Sequence, residues 1–305
     1  MNKFLKWSLQ TVLIVIMLLV ILDFGYTKIY KQSNSRGKID KVYNSVPTTY
    51  DVVILGSSRA NNHFVAPMFE DKGLKTFNYG MSGSHLFEAD LLLKILLERK
   101  YKIKTVLIEV DLSLSNDKRA DAVASKFLPY IHDSAVIRSH FESEADFNYL
   151  YYIPFYRYIV YDSQIGFREA YKTISKEPSS LLQNLGYYPL DNKKKRKMQN
   201  DITNLVPLPN NKYYEDIKQL CKDNAIRLIP IMTPMCEKTK GLVYFDKVKK
   251  AYPEIYNYEN AVVQDSYFSS CGHMNDLGAR KFTEIVINDF FINAKNAAKK
   301  SNTIY

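Results

Sequence analysis

Short stretches far apart in the chain carry the residue types that acyl transfer needs. The first is Ile54-Leu55-Gly56-Ser57-Ser58-Arg59, where a β-branched run ends in glycine and serine. A serine on the turn between a strand and a helix presents its hydroxyl to a cleft, and backbone N–H groups beside it can hold an oxyanion. The second is Asn78-Tyr79-Gly80-Met81-Ser82-Gly83-Ser84. Glycine there lets the backbone approach a ligand closely and aim an N–H inward. The third, Gly272-His273-Met274-Asn275-Asp276-Leu277-Gly278-Ala279, places a histidine just before the last helical pattern. Histidine titrates in the range where it can take the serine proton. Taken singly, these stretches equally describe a helix cap, a plain turn and a structural histidine. Around them, Arg59 stands next to contact an anionic substrate or an acidic neighbour, and Asp111 ends a strand at the same edge, within reach of Arg59. His85 reads as part of a helix start, while His63, His132 and His140 carry no signal.

The elements needed to position these groups alternate. Asp51-Val52-Val53-Ile54-Leu55 and Lys104 to Val110 read as buried strands, with a further strand at Leu74 to Asn78. Leu86 to Arg99 reads as a helix with Leu91, Leu92, Ile95 and Leu96 on one face. A helix at Tyr213 to Asn224 precedes a strand at Ile226 to Met232. Phe245 to Ala251 and Leu277 to Ala298 read as helices, the last capped by Asn275 or Asp276. Strand–helix alternation predicts an α/β fold with three layers, a parallel sheet flanked by helices. Sites in such sheets form at the carboxyl ends of the strands, where the serine, glycine and post-Val110 loops all fall. Residues 120–209, rich in Tyr, Lys and Pro, interrupt the alternation and are expected to form a helical insertion roofing the site.

Together, in this order and spacing, the three stretches resemble the SGNH hydrolase superfamily, also called GDSL-like hydrolases, over about Tyr50 to Asn293. They are most similar to its membrane-anchored branch, which opens with Gly-Ser-Ser and whose members act in acylation of cell-surface polymers. The resemblance implies Ser58 as nucleophile, His273 as general base, and the N–H groups of Ser58 and Gly83 as oxyanion donors. The asparagine of the family's third block falls near Leu112 or Ser113, with Asn116 available if the loop is longer; Ser113 is the nearer candidate. The family's aspartate three residues before the histidine is replaced by Ser270. A carboxylate there fixes the histidine tautomer and stabilises the imidazolium, so its loss can cost orders of magnitude in rate. Ser270, a backbone carbonyl, Asp265 or Asp276 remain as substitutes.

The first thirty residues determine where such a domain would work. Thr11 to Leu22 is uncharged and apolar, and its flanks extend it to about 20 residues, the length of a bilayer-spanning helix. Trp7 and Tyr26 fall where interfacial aromatics belong, and Lys3 and Lys6 favour a cytoplasmic N-terminus. Leu22-Asp23-Phe24-Gly25-Tyr26-Thr27-Lys28 is a poor cleavage site, so an uncleaved signal anchor over 1–30 is preferred to a removed signal peptide. The polar segment 31–49 reads as a stalk, leaving the domain at 50–298 outside the cytoplasm.

Composition narrows the partners. The formal charge of +10 is scattered apart from Lys193-Lys194-Lys195-Arg196-Lys197, which sits in a solvated loop setting, and no nucleic-acid motif accompanies it. Cys221, Cys236 and Cys271 lack metal-ligand spacing; one disulfide is possible, with no pair favoured. Neither a metal nor a cofactor is expected. The leading expectation is an esterase or O-acyltransferase acting on an acylated surface glycan or polymer. A membrane-bound acyltransferase as partner is implied by the resemblance. The alternative is a binding or assembly protein of the cell envelope on the same fold, with catalysis lost.

Overall fold

A computed structural model describes residues 2–191 and 198–293. The basic run at 193–197 and the expected end of the closing helix beyond Asn293 lie outside the described residues. The chain forms two compact units. One gathers the chain up to Pro47 with Leu91–Lys100 and Ala120–Ser179; the other gathers Thr48–Asp90, Tyr101–Arg119 and the chain from Ser180 on.

The second unit is built on a five-stranded parallel sheet flanked by helices. Strand β1 (Thr49–Leu55) lies between β2 (Thr76–Asn78) and β3 (Lys102–Glu109). The strands Arg227–Met232 and Tyr256–Asn257 continue outward from β3. Val52, Val53, Ile54 and Leu55 are fully buried, as a strand covered on both faces requires. Counting strands in chain order, the sheet runs 2-1-3-4-5, the flavodoxin-type order. Its direction reverses between β1 and β3, so the loops leaving those strands diverge and open a crevice. The two-residue strand at Tyr256–Asn257 went unread in the sequence because it is too short to show a period.

A helix at Ser58–His63 follows β1 directly, and the closing helix Asp276–Ile287 packs on it. Thr283 joins the two: its hydroxyl accepts from the Val65 N–H at 3.0 Å and donates to the His63 carbonyl at 3.1 Å. Asn275 caps the closing helix by accepting from the Gly278 N–H at 3.0 Å. Ala60, Phe64, Phe282 and Val286 from these helices join Val52, Ile54 and Ile229 of the sheet in one core.

The first unit is helical. Its N-terminal helix, Asn2–Lys31, is long and apolar enough to cross a membrane. The segment read as a polar stalk departs from that expectation. Lys38–Asn44 is a helix burying Ile39, Val42 and Tyr43, which recur at helical spacing, and Tyr43 stacks on Tyr130 at 4.1 Å. Residues 120–209, read as one insertion over the site, divide at Ser180. Within its own unit, Ala120–Ser179 meets the N-terminal helix: Arg157 donates to Asp23 at 2.8 Å, and the hydroxyls of Tyr158 and Thr27 are 2.8 Å apart. Tyr26, expected as an interfacial ring, stands edge-on to Phe155 at 4.9 Å.

Candidate active site

The crevice at the β1/β3 switch point is a cavity of about 310 Å³, and the described residues lining it all belong to the sheet unit. Ser57, Ser58 and Arg59 enter from the end of β1, Gly83 and Ser84 from the loop after β2. Ser113 and Asn116 come from the loop after β3, and Gly272 and His273 from the turn before the closing helix.

The turn leaving β1 separates the roles of two adjacent serines. Gly56 has φ +130°, and a Cβ there would meet the Glu109 carbonyl oxygen at 2.8 Å, so no side chain fits between β1 and β3 at this point. Ser57 is the helix cap, accepting from the Arg59 N–H at 3.2 Å while its own N–H and hydroxyl donate to Glu109 Oε2 at 2.8 and 2.6 Å. Ser58, the first residue of the helix, is left to face the cavity. Its Oγ lies 2.7 Å from Nε2 of His273, 215 residues away in sequence. On the other side of the imidazole, Nδ1 is 3.3 Å from Ser270 Oγ. The alternative carboxylates are engaged elsewhere: Asp265 pairs with Lys238 at 3.0 Å, and Asp276 accepts from Tyr187 and Arg280, each at 2.8 Å.

Arg59 turns inward to an acidic neighbour. It is 3% exposed and forms an ion pair at 3.1 Å with Asp111, which is fully buried. The guanidinium also donates to the carbonyls of Thr233 at 2.6 Å, Pro234 at 3.2 Å and Gly272 at 3.1 Å, and contacts the Met235 sulfur. The residue after the serine therefore anchors the residue before the histidine. Asp111 is held in turn by the N–H groups of Leu112 at 2.7 Å and Thr233 at 2.9 Å.

Groups without a sequence signal complete this support. Glu109 is buried beside Asp111. Burial first, then the Asp111 charge, raises its carboxyl well above the usual range, against the opposing pull of Arg59 and the Ser57 hydrogen bond. His63 lies beneath the site with its ring edge-on to His273, centroids 6.4 Å apart. Its Nε2 accepts from the Met274 N–H at 3.0 Å, so Nδ1 carries the proton and donates to Thr233 Oγ1 at 3.1 Å; that hydroxyl is 3.2 Å from Asp111. Burial, then the Arg59 and His273 charges, pushes the His63 pKa well below its ordinary value. Asn78 ties down the far end of the serine helix, its Nδ2 donating to the carbonyls of Ala60 at 2.8 Å and Phe64 at 2.9 Å. The register of β1 and β3, pairing Leu55 with Ile108, sets Glu109 under Gly56 and Ser57. Only three-dimensional pairing reveals this, which is why sequence reasoning missed it.

Gly83 has φ +83° and sits exposed at the cavity rim. Ser113 is buried in a 3-10 turn, and Asn116 follows it. Asn116 Oδ1 accepts from the Lys118 N–H at 3.1 Å, and its Nδ2 has no partner among the described residues. His85 also lines the cavity; its N–H donates to Glu88 at 2.7 Å, the helix-start role expected of it. A disulfide joins Cys236 to Cys271, next to Gly272, while Cys221 is free and buried. No protein-family model matches the chain, and no curated protein matches it.

Proposed function

We propose that this chain is a membrane-anchored serine esterase or O-acyltransferase with an SGNH-type site, acting outside the cytoplasm on an acylated cell-surface glycan or polymer. The observation that carries the reading is the Ser58 Oγ to His273 Nε2 distance of 2.7 Å inside a cavity at the sheet's switch point. In the mechanism, Ser58 Oγ attacks an ester carbonyl as His273 Nε2 takes its proton. The N–H groups of Ser58 and Gly83, with Ser113 or Asn116 beside them, hold the oxyanion. Collapse expels the alcohol, which takes the proton from His273, and leaves an acyl-enzyme. Water or a sugar hydroxyl then attacks the acyl carbon, again losing its proton to His273, and Ser58 is regenerated. Ser270 orients the imidazole without supplying negative charge. The Cys236–Cys271 disulfide supports a domain placed in an oxidising compartment. The apolar N-terminal helix supports the anchor, with Lys3 and Lys6 on the cytoplasmic side. A membrane-bound acyltransferase is the partner this reading brings with it, and nucleic acid has no part in it.

A second reading, a binding or assembly protein on the same fold, is favoured by one observation: a neutral hydroxyl, Ser270, at 3.3 Å from His273 Nδ1 where a carboxylate would be expected. A fluorophosphonate probe on the full chain in detergent separates the two. Covalent labelling is expected in the wild type and lost in Ser58→Ala, with His273→Ala slowing it about a thousandfold or more. A folded wild-type chain that takes up no label sinks the Ser58–His273 mechanism and leaves the binding reading.

A further inference from the structure

A second cavity, of about 610 Å³, lies within the helical unit, against the N-terminal helix where its apolar stretch ends. Its helix wall runs Val20, Phe24, Thr27, Lys28, Lys31, Gln32, a single face at spacings of three and four residues. Along that face the chemistry changes from apolar to polar within about 17 Å of helix rise. The facing wall has Tyr151, Tyr152 and Pro154 beside Phe24, with Tyr152 69% exposed.

The charges on this wall are nearly all matched. Asp23 is held by Arg157 at 2.8 Å and by the Phe155 N–H at 2.7 Å. Lys31 pairs with Asp133 at 2.9 Å. Burial, then the Arg157 charge, lowers the His132 pKa below its ordinary value, against the opposing pull of Asp23 and Asp133. Lys28 has no hydrogen bond or ion pair among the described residues, which leaves one unmatched cation at the polar end of a groove whose other end is apolar. The same unit turns Phe167, Tyr171 and Ile174 outward on one face of a helix, 61–70% exposed, the pattern of an element lying at a membrane–water interface.

We infer that this groove binds one anionic phospholipid of the surrounding leaflet, its phosphate at Lys28 and the start of an acyl chain along Val20, Phe24 and Tyr152. The occupant is a membrane lipid because the groove wall is the membrane-length helix itself and its apolar end runs into the uncharged stretch Thr11 to Leu22. The inference rests on that helix lying in a bilayer.

The full chain, placed in nanodiscs of phosphatidylcholine with a minor fraction of photoreactive phosphatidylglycerol, tests it. Crosslinks are expected at Val20, Phe24 or Tyr152, with labelling about fivefold weaker in Lys28→Ala, unchanged in Lys72→Ala on the sheet unit, and restored in Lys28→Arg. Equal labelling by a photoreactive phosphatidylcholine, or no loss in Lys28→Ala, overturns the lipid site. Release of the chain from membranes by a carbonate wash overturns the anchor beneath it, a result separable from the first.

Discussion

The sheet unit and the helical unit place their polar and apolar residues in opposite ways. The sheet unit hides charge: Arg59, Asp111, Glu109 and His63 are all 3% exposed or less, and each is held by named partners. The helical unit displays apolar surface: Phe167, Tyr171 and Ile174 face outward on one helix, while its buried Arg157 serves to pin the N-terminal helix. Buried charge is costly unless paired and hydrogen-bonded, so a unit retains it where geometry matters more than stability. Exposed apolar faces are tolerated where the surroundings are not water. The contrast is between one unit with a buried polar centre and another with an exposed apolar face.

Substitutions can break or sharpen this contrast. The largest effect is expected from Arg59→Ala, which leaves Asp111 buried without its cation. Urea unfolding of the sheet unit should lose about 3–5 kcal/mol, and a loss below 1 kcal/mol would show that the pair is not what joins the serine and histidine loops. Next, Ser270→Asp places a carboxylate at Nδ1 of His273, and the rate of fluorophosphonate labelling should rise about tenfold or more. An unchanged rate would mean that orientation, not charge, is what the ring requires.

A smaller effect concerns Glu109. Its carboxyl is raised in the fold, so the folded chain keeps a proton that the unfolded chain, with its ordinary value of 4.5, releases. Its contribution to stability is therefore present below pH 4.5 and is lost as pH climbs toward the raised value. Glu109→Gln is neutral throughout, so the stability difference between variant and wild type should move in the variant's favour as pH rises. His63 acts in the opposite sense: its contribution is present above its ordinary value of 6.5 and fades as pH falls toward its lowered one. Taking the difference between the two proteins removes it, and a difference flat with pH would remove Glu109 from the account. The smallest effect is Phe167→Ser in the helical unit, expected within about 0.5 kcal/mol of wild type in detergent. A larger loss would make that ring part of a core.

Much of the sheet unit was legible because its strands are local events. Val52 to Leu55, Lys104 to Glu109 and Arg227 to Met232 announce themselves through short apolar runs containing β-branched residues. Ser58 follows the end of such a run and His273 stands just before the closing helix, and the fold brings the two side chains to 2.7 Å. Glu109, His63 and Thr233 were not recoverable, since each works through a partner fixed by strand register or helix packing, and a lone buried acid or histidine has no periodic mark. The cysteine pairing was silent for the same reason. In the helical unit the sequence carried no sign of the partners of Phe155, Arg157 and Tyr158, since Asp23, Tyr26 and Thr27 lie over a hundred residues earlier.

The span of 215 residues between Ser58 and His273 has a consequence in time. At a synthesis rate of about 5–20 residues per second, the serine waits roughly 10–40 s between leaving the ribosome's active centre and the appearance of its histidine. During that interval the nascent chain carries Ser58 without its partner His273. The contact between Ser58 and His273 forms only once the residues just before the closing helix have been made.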